Sequence, residues 1–348
     1  MLKIRLLDIQ KHRNETTFRP YLQNSGLFRD VGIQFVMQGD CDMTWVAHAS
    51  FAQRSELYHK AFYSKLWERQ LTSDDYIFFD GQDSPSLYGA YQPFVDKNPL
   101  LLMKNSLYVD RSVYETDLVH GRLWWGNAES NGSSSDYNYK IDNPDFSKIK
   151  LSGTNWLSTV NPHWYDYKNI KKDIDVFAMF SYPAKENIEF GVYTHQFYDN
   201  FRRPCVDQIN QLPSTVTVAK LEDGQKVPIE KYYELMSRSK IVIAPFGYGE
   251  MAPRDIEAAM FGGILIKPDM GHIESIPNPY IPEETYRPIE WGFADMNDVI
   301  LDTLERFNYY QEKFVNNMRN EYMKQYAPEK MVMHIYDIIS NLKGYGTV

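Results

Sequence analysis

At 348 residues the chain is long enough for two domains, each with material for its own core. Hydrophobic residues make up 43% and charged residues 24%, a balance that excludes a disordered or membrane-embedded chain and points to a soluble one. A formal charge of −9 leaves no basic excess to displace counterions, so no nucleic acid partner is expected. Cys41 and Cys205 lie far apart without a C-x-x-C spacing, which suggests neither a disulfide framework nor a zinc site. The N-terminal MLKIRLLDIQKHR is too charged for a signal peptide, and no apolar run reaches the ~18 residues of a membrane span. A cytoplasmic location is expected. Aromatic residues reach 15%, with 26 Tyr and 7 Trp; such side chains suit the apolar faces and hydroxyl rims of sugars, and equally fill cores.

In chain order, KIRLLDI (3–9) and MTWVAHA (43–49) read as strands, and the spacing of Tyr58, Ala61, Phe62 and Leu66 predicts a helix over 52–70. YIFFD (76–80) is a continuous apolar run ending in Gly81-Gln82-Asp83-Ser84-Pro85, which suits a buried parallel strand and a turn. LLLM (100–103) reads as another strand. GNAESNGSSSDYN (126–138) reads as a polar loop. Alternation resumes with strand IDVFAMF (174–180), a helix over 195–212 that Pro204 must start or kink, and strand TVTVA (215–219). A helix over 229–237, strand IVIAP (241–245), a helix from Pro253, strand ILIK (264–267) and terminal helices over 297–342 follow. The fold class is therefore α/β, two Rossmann-like doubly wound domains, 1–165 and 166–348, facing across a cleft.

The stretch KIVIAPFGYGEMAPRDIEAAMFGGILIKP (240–268) carries the chemistry. Ligands of doubly wound sheets gather outside the carboxyl ends of the strands, where Gly247, Tyr248, Gly249 and Glu250 fall. Glycines there let backbone amides approach a phosphate. Pro253 suits the first helical position and Gly262-Gly263 a helix stop, so the helix N-terminus faces the same place. Arg254 in the first turn can bind a diphosphate, and Glu257, one turn on, can accept from ribose hydroxyls. The plainer alternative is an i,i+3 surface ion pair.

This segment resembles the nucleotide-sugar-binding region of GT-B glycosyltransferases, nearest to exostosin-like and group 1 enzymes, through Pro253, Arg254, Glu257, Ala258 and Gly262-Gly263. The resemblance implies Arg254 on the donor phosphates, Glu257 on the ribose, and a UDP-, GDP- or dTDP-sugar donor with no further cofactor. Retaining group 1 enzymes place seven residues between their two glutamates; Glu250 and Glu257 here have six between them.

On the acceptor side, Asp83 and Asp80 follow a strand end and can take a proton from an acceptor hydroxyl, or simply cap the turn. His48, ending its own strand, is the reserve base. Lys104, after a strand, and Arg202-Arg203 can reach donor phosphates. Asp40-Cys41-Asp42 and Asp173-Ile174-Asp175 match an Asp-x-Asp metal pattern that is cheap in an acidic chain, so no metal site is expected. The reading is a metal-independent hexosyl- or pentosyltransferase acting on a glycan or other hydroxyl. The alternatives are an epimerase of the same fold, and a non-catalytic protein that binds sugar nucleotides.

Overall fold

The computed structural model describes residues 1–8, 17–48, 75–126, 138–180, 192–221, 226–342 and 345. The helix expected over 52–70, and nearly all of the polar loop expected over 126–138, lie outside these residues.

The strands β1 (Leu2–Asp8), β2 (Ile33–Val36), β3 (Met43–His48), β4 (Tyr76–Asp80), β5 (Leu101–Lys104) and β9 (Ile149–Leu151) form one sheet in the order β2-β1-β3-β4-β5-β9. Every neighbour pair is parallel. A parallel sheet is covered on both faces, which is why β4 reads as an unbroken apolar run. Its side chains alternate: Phe78 joins the core facing the second sheet, while Ile77 and Phe79 join the core on the far face. Helices α1 (Arg19–Gln23) and α2 (Ser25–Asp30) supply Tyr21 and Phe28 to that far face, against Trp45. Helix α3 (Tyr91–Lys97) places Phe94 in the inner core.

Two short ribbons follow β5. Strand β6 (Leu107–Tyr108) pairs antiparallel with β14 (Ile273–Glu274), and β7 (Leu118–Val119) pairs with β8 (Asn138–Tyr139). The first ribbon joins the two halves of the chain. Val109 N–H extends it by donating to the His272 carbonyl at 2.9 Å, and Arg111 pairs with Glu274.

The second sheet holds β10 (Ile174–Ala178), β11 (Val218–Lys220), β12 (Ser239–Ile243), β13 (Ile264–Pro268) and β15 (Arg287–Ile289) in the order β11-β10-β12-β13-β15, again all parallel. Strand β12 repeats the alternation: Val242 faces the shared core, and Ile241 and Ile243 the outer one. Helix α4 (Val192–Asn210) and helix α7 (Met296–Glu305) cover that outer face through Cys205, Ile209, Met296 and Ile300. Pro204 lies inside α4 rather than starting it, exposed beside the buried Cys205. Helices α5 (Ile229–Ser237) and α6 (Pro253–Met260) stand on the inner face.

After α8 (Phe307–Gln325), the chain departs from the expected division. Helix α9 (Pro328–Ser340) does not stay with the second sheet. Its Met331, Val332, Ile335 and Ile339 pack into the far core of the first sheet with Leu2, Ile4 and Ile33. Four apolar residues at helical spacing need a partner face, and the first sheet offers it. No helix among the described residues is long and apolar enough to cross a membrane.

Candidate active site

In the second sheet the chain order reverses between β10 and β12, and the loops leaving these neighbouring strands diverge there, opening a crevice. Strand β12 delivers Pro245, Gly247, Tyr248 and Gly249 to a cleft of about 540 Å³ at this point. Helix α6 begins beside it. Pro253 takes the first helical position, and Asp255 turns back to accept from the Ala252 N–H at 3.1 Å. Asp255 is itself fully buried, paired to Lys267 at 3.1 Å and bonded by the Tyr280 hydroxyl. This anchor, which sequence reasoning missed, fixes the start of the helix. Its far end closes as expected: Gly262 has φ +74°, and a Cβ there would meet Tyr167 at 2.2 Å.

Arg254 and Glu257 both line the cleft, and no ion pair joins them to each other. Arg254 donates through Nε to the Tyr232 hydroxyl at 3.0 Å and through Nη2 to the Met179 carbonyl at 3.0 Å. Neither bond uses Nη1. Glu257 accepts from the Tyr233 hydroxyl at 3.1 Å, and burial pushes its carboxyl above the ordinary glutamate range. Two consecutive tyrosines of α5 thus hold these two cleft side chains in place. The pair was visible in the sequence as an aromatic dipeptide, but nothing local said what it would touch.

Across the cleft stand Asp83 and Trp156. Asp83 follows β4, as its position past YIFFD predicts, and its side chain keeps 29% exposure. Burial pushes its carboxyl above the usual aspartate range; Arg122, at 3.7 Å, pulls the other way, and Glu250 adds to the rise. Gly249 presses on this residue: a Cβ there would lie 1.6 Å from the Asp83 carbonyl oxygen. Only glycine permits the loop after β12 to pass so close.

Other expected residues fall elsewhere. Asp80 and Lys104 form a fully buried ion pair at 2.9 Å, and the Lys104 ammonium also donates to the Ser84 and Ser86 carbonyls. Lys104 therefore cannot serve donor phosphates, and Asp80 braces the turn that presents Asp83. The parallel register places both at the same level of adjacent strands, so each is the other's nearest counter-charge. Glu250 is buried behind the cleft wall, 3.3 Å from His272 Nε2, with Oε2 unpartnered. His48 ends β3 level with Asp80, and its side chain lies outside the described part. Arg202 does line the cleft, donating to the Phe246 carbonyl at 2.9 Å, whereas the exposed Arg203 does not line it. Asp173 is engaged by Arg238, and Asp175 by Lys240 and Thr217.

The corrected role of Lys104 has a measurable consequence. Lys104→Met leaves Asp80 as an unpaired buried charge, so stability in urea unfolding should fall by about 3–5 kcal/mol. Nucleotide binding by the folded fraction should not change. Weakened nucleotide binding at unchanged stability would return Lys104 to the phosphates.

No family model matches the sequence, and no curated protein matches it significantly. Solved structures do resemble it. An α-glucosyltransferase in complex with UDP and a 13-mer DNA aligns with a TM-score of 0.50 at 9% identity, covering 98% of this chain and 100% of its own. The chain has the GT-B fold. HepE of Anabaena, in complex with UDP-glucose, aligns at a TM-score of 0.46 and 11% identity over 98% of this chain and 100% of that one. A glycosyltransferase from Rickettsia africae aligns at 0.47 and 10% over 98% and 99%.

Proposed function

We propose that this chain is a glycosyltransferase that moves a sugar from a nucleoside diphosphate to an acceptor hydroxyl. The observation that carries the reading is one cleft with two kinds of wall. Arg254 and Glu257 stand at a helix N-terminus on one side, and a carboxylate with a raised pKa, Asp83, stands on the other. Arg254 and the helix N-terminus would hold the diphosphate, and Glu257 the ribose. In a direct displacement Asp83 takes the acceptor proton, and the freed oxygen bonds the anomeric carbon. As that bond forms, the bond from the same carbon to the diphosphate breaks, and its electron pair leaves with the nucleotide. The GT-B neighbours bound to UDP and UDP-glucose agree with a nucleotide-sugar donor. The narrower likeness to exostosin-like enzymes rests on the residues from Pro253 to Gly263.

A thermal-shift series with UDP, GDP, dTDP and their glucose conjugates tests the donor site, because ligands of the folded state alone raise apparent stability. No shift with any of them would overturn the reading. An epimerase would change the sugar with donor alone, whereas a transferase needs an acceptor. One neighbour carries DNA, but a net charge of −9 favours glycan over nucleic acid as acceptor here. Because Arg254 and the helix N-terminus supply positive charge to the leaving diphosphate, transfer should persist in EDTA. Complete loss, restored by manganese or magnesium, would refute metal independence.

A further inference from the structure

We infer that Arg122 is a positioning residue for Asp83, holding that side chain ionised against the cleft wall from behind. The inference rests on the proposed role of Asp83 as the base.

Arg122 opens the turn Leu123–Trp125, in a segment that the sequence analysis left without a role. Its side chain is only 7% exposed. Nη2 lies 3.7 Å from Asp83 Oδ1, the guanidinium sits 4.7 Å from the centre of the Trp125 ring, and Nε and Nη1 have no hydrogen-bond partner. Burying a guanidinium with its donors unused is costly. A purely structural arginine spends them, as Arg319 does on the carbonyls of Ala259, Tyr165 and Met260 at 2.9–3.0 Å. Asp83 is the ion-pair partner of Arg122.

The separation matters. At 3.7 Å the guanidinium acts as a charge and not as a hydrogen-bonded clamp, so the lone pairs of Asp83 stay open to an acceptor hydroxyl. The charged groups acting on Asp83 are Arg122, Glu250 and Lys104. Lys104 is already paired with Asp80, and Glu250 disfavours a second negative charge. Arg122 is the group that keeps the carboxylate ionised despite burial.

The test uses full-length protein labelled with carboxyl-¹³C aspartate, the Asp83 resonance being assigned by its loss in Asp83→Asn. In Arg122→Gln the Asp83 titration midpoint should rise by about 1 pH unit or more, as expected when a neighbouring cation is removed. Arg122→Lys should keep it near wild type. The acid limb of UDP-glucose consumption should move with the midpoint, so that activity lost at low pH returns at higher pH. A purely structural arginine would lower the rate at every pH. Should Arg122→Gln not fold, Arg122→Met makes the same test without burying an unpaired amide. An unmoved Asp83 midpoint in either folded variant, with Asp83→Asn inactive, overturns the role of Arg122 and leaves Asp83 as base. Wild-type consumption by Asp83→Asn overturns the base assignment itself.

Discussion

Asp83→Asn is expected to lower turnover by about two to four orders of magnitude, the range for loss of a general base. Donor affinity should stay nearly unchanged, because Arg254 and Glu257 are held by α5 and by the Met179 carbonyl, not by the Asp83 loop. Asparagine matches aspartate in size, so the contact with Gly249 survives and the effect reports the lost carboxylate. Rates and nucleotide titrations on the same preparation separate the two terms. Retention of more than a tenth of wild-type turnover, at unchanged affinity, would make Asp83 structural and place the base elsewhere. The rise of the Asp83 carboxyl through burial also fixes the sign of its pH dependence. Turnover should increase with pH as the group ionises, over a range above that of an ordinary aspartate.

The donor side should respond in a different currency. Arg254→Ala would remove the proposed charged hydrogen bond to phosphate, worth roughly 1.5–3 kcal/mol, or about ten- to a hundredfold in affinity. The loss should be large for nucleoside diphosphates and small for nucleosides. Glu257→Gln should weaken both alike if, as proposed, it holds the ribose. Calorimetric titrations with UDP and with uridine give the comparison. Equal, negligible effects would leave the two residues with no more than their bonds to Tyr232 and Tyr233.

Much of this arrangement was legible in the sequence because it is local. Apolar runs such as YIFFD and IVIAP announce buried parallel strands, and Pro253 and Gly262-Gly263 mark the ends of a helix by rules that need no tertiary context. Asp83 was placed by its distance past a strand. What stayed hidden depends on which strand lies beside which. Lys104 looked available until β5 was seated next to β4, in a register that sets it against Asp80. Tyr232, Tyr233 and Arg122 act across 22, 24 and 39 residues of sequence, and no periodicity carries such a contact. Edge strands β2 and β9 are three or four residues long, too short to show a pattern.

Helix α9 shapes the order in which the chain can assemble. The first sheet is translated early, yet part of its far core, Met331, Val332, Ile335 and Ile339, is synthesised only after the whole second sheet. During synthesis, therefore, the second sheet and its helices can consolidate while one face of the first still lacks its cover. The nascent first half waits with Leu2, Ile4 and Ile33 short of their partners, an apolar surface that chaperones recognise and that aggregation exploits. The half expected to meet the acceptor is then the last to close.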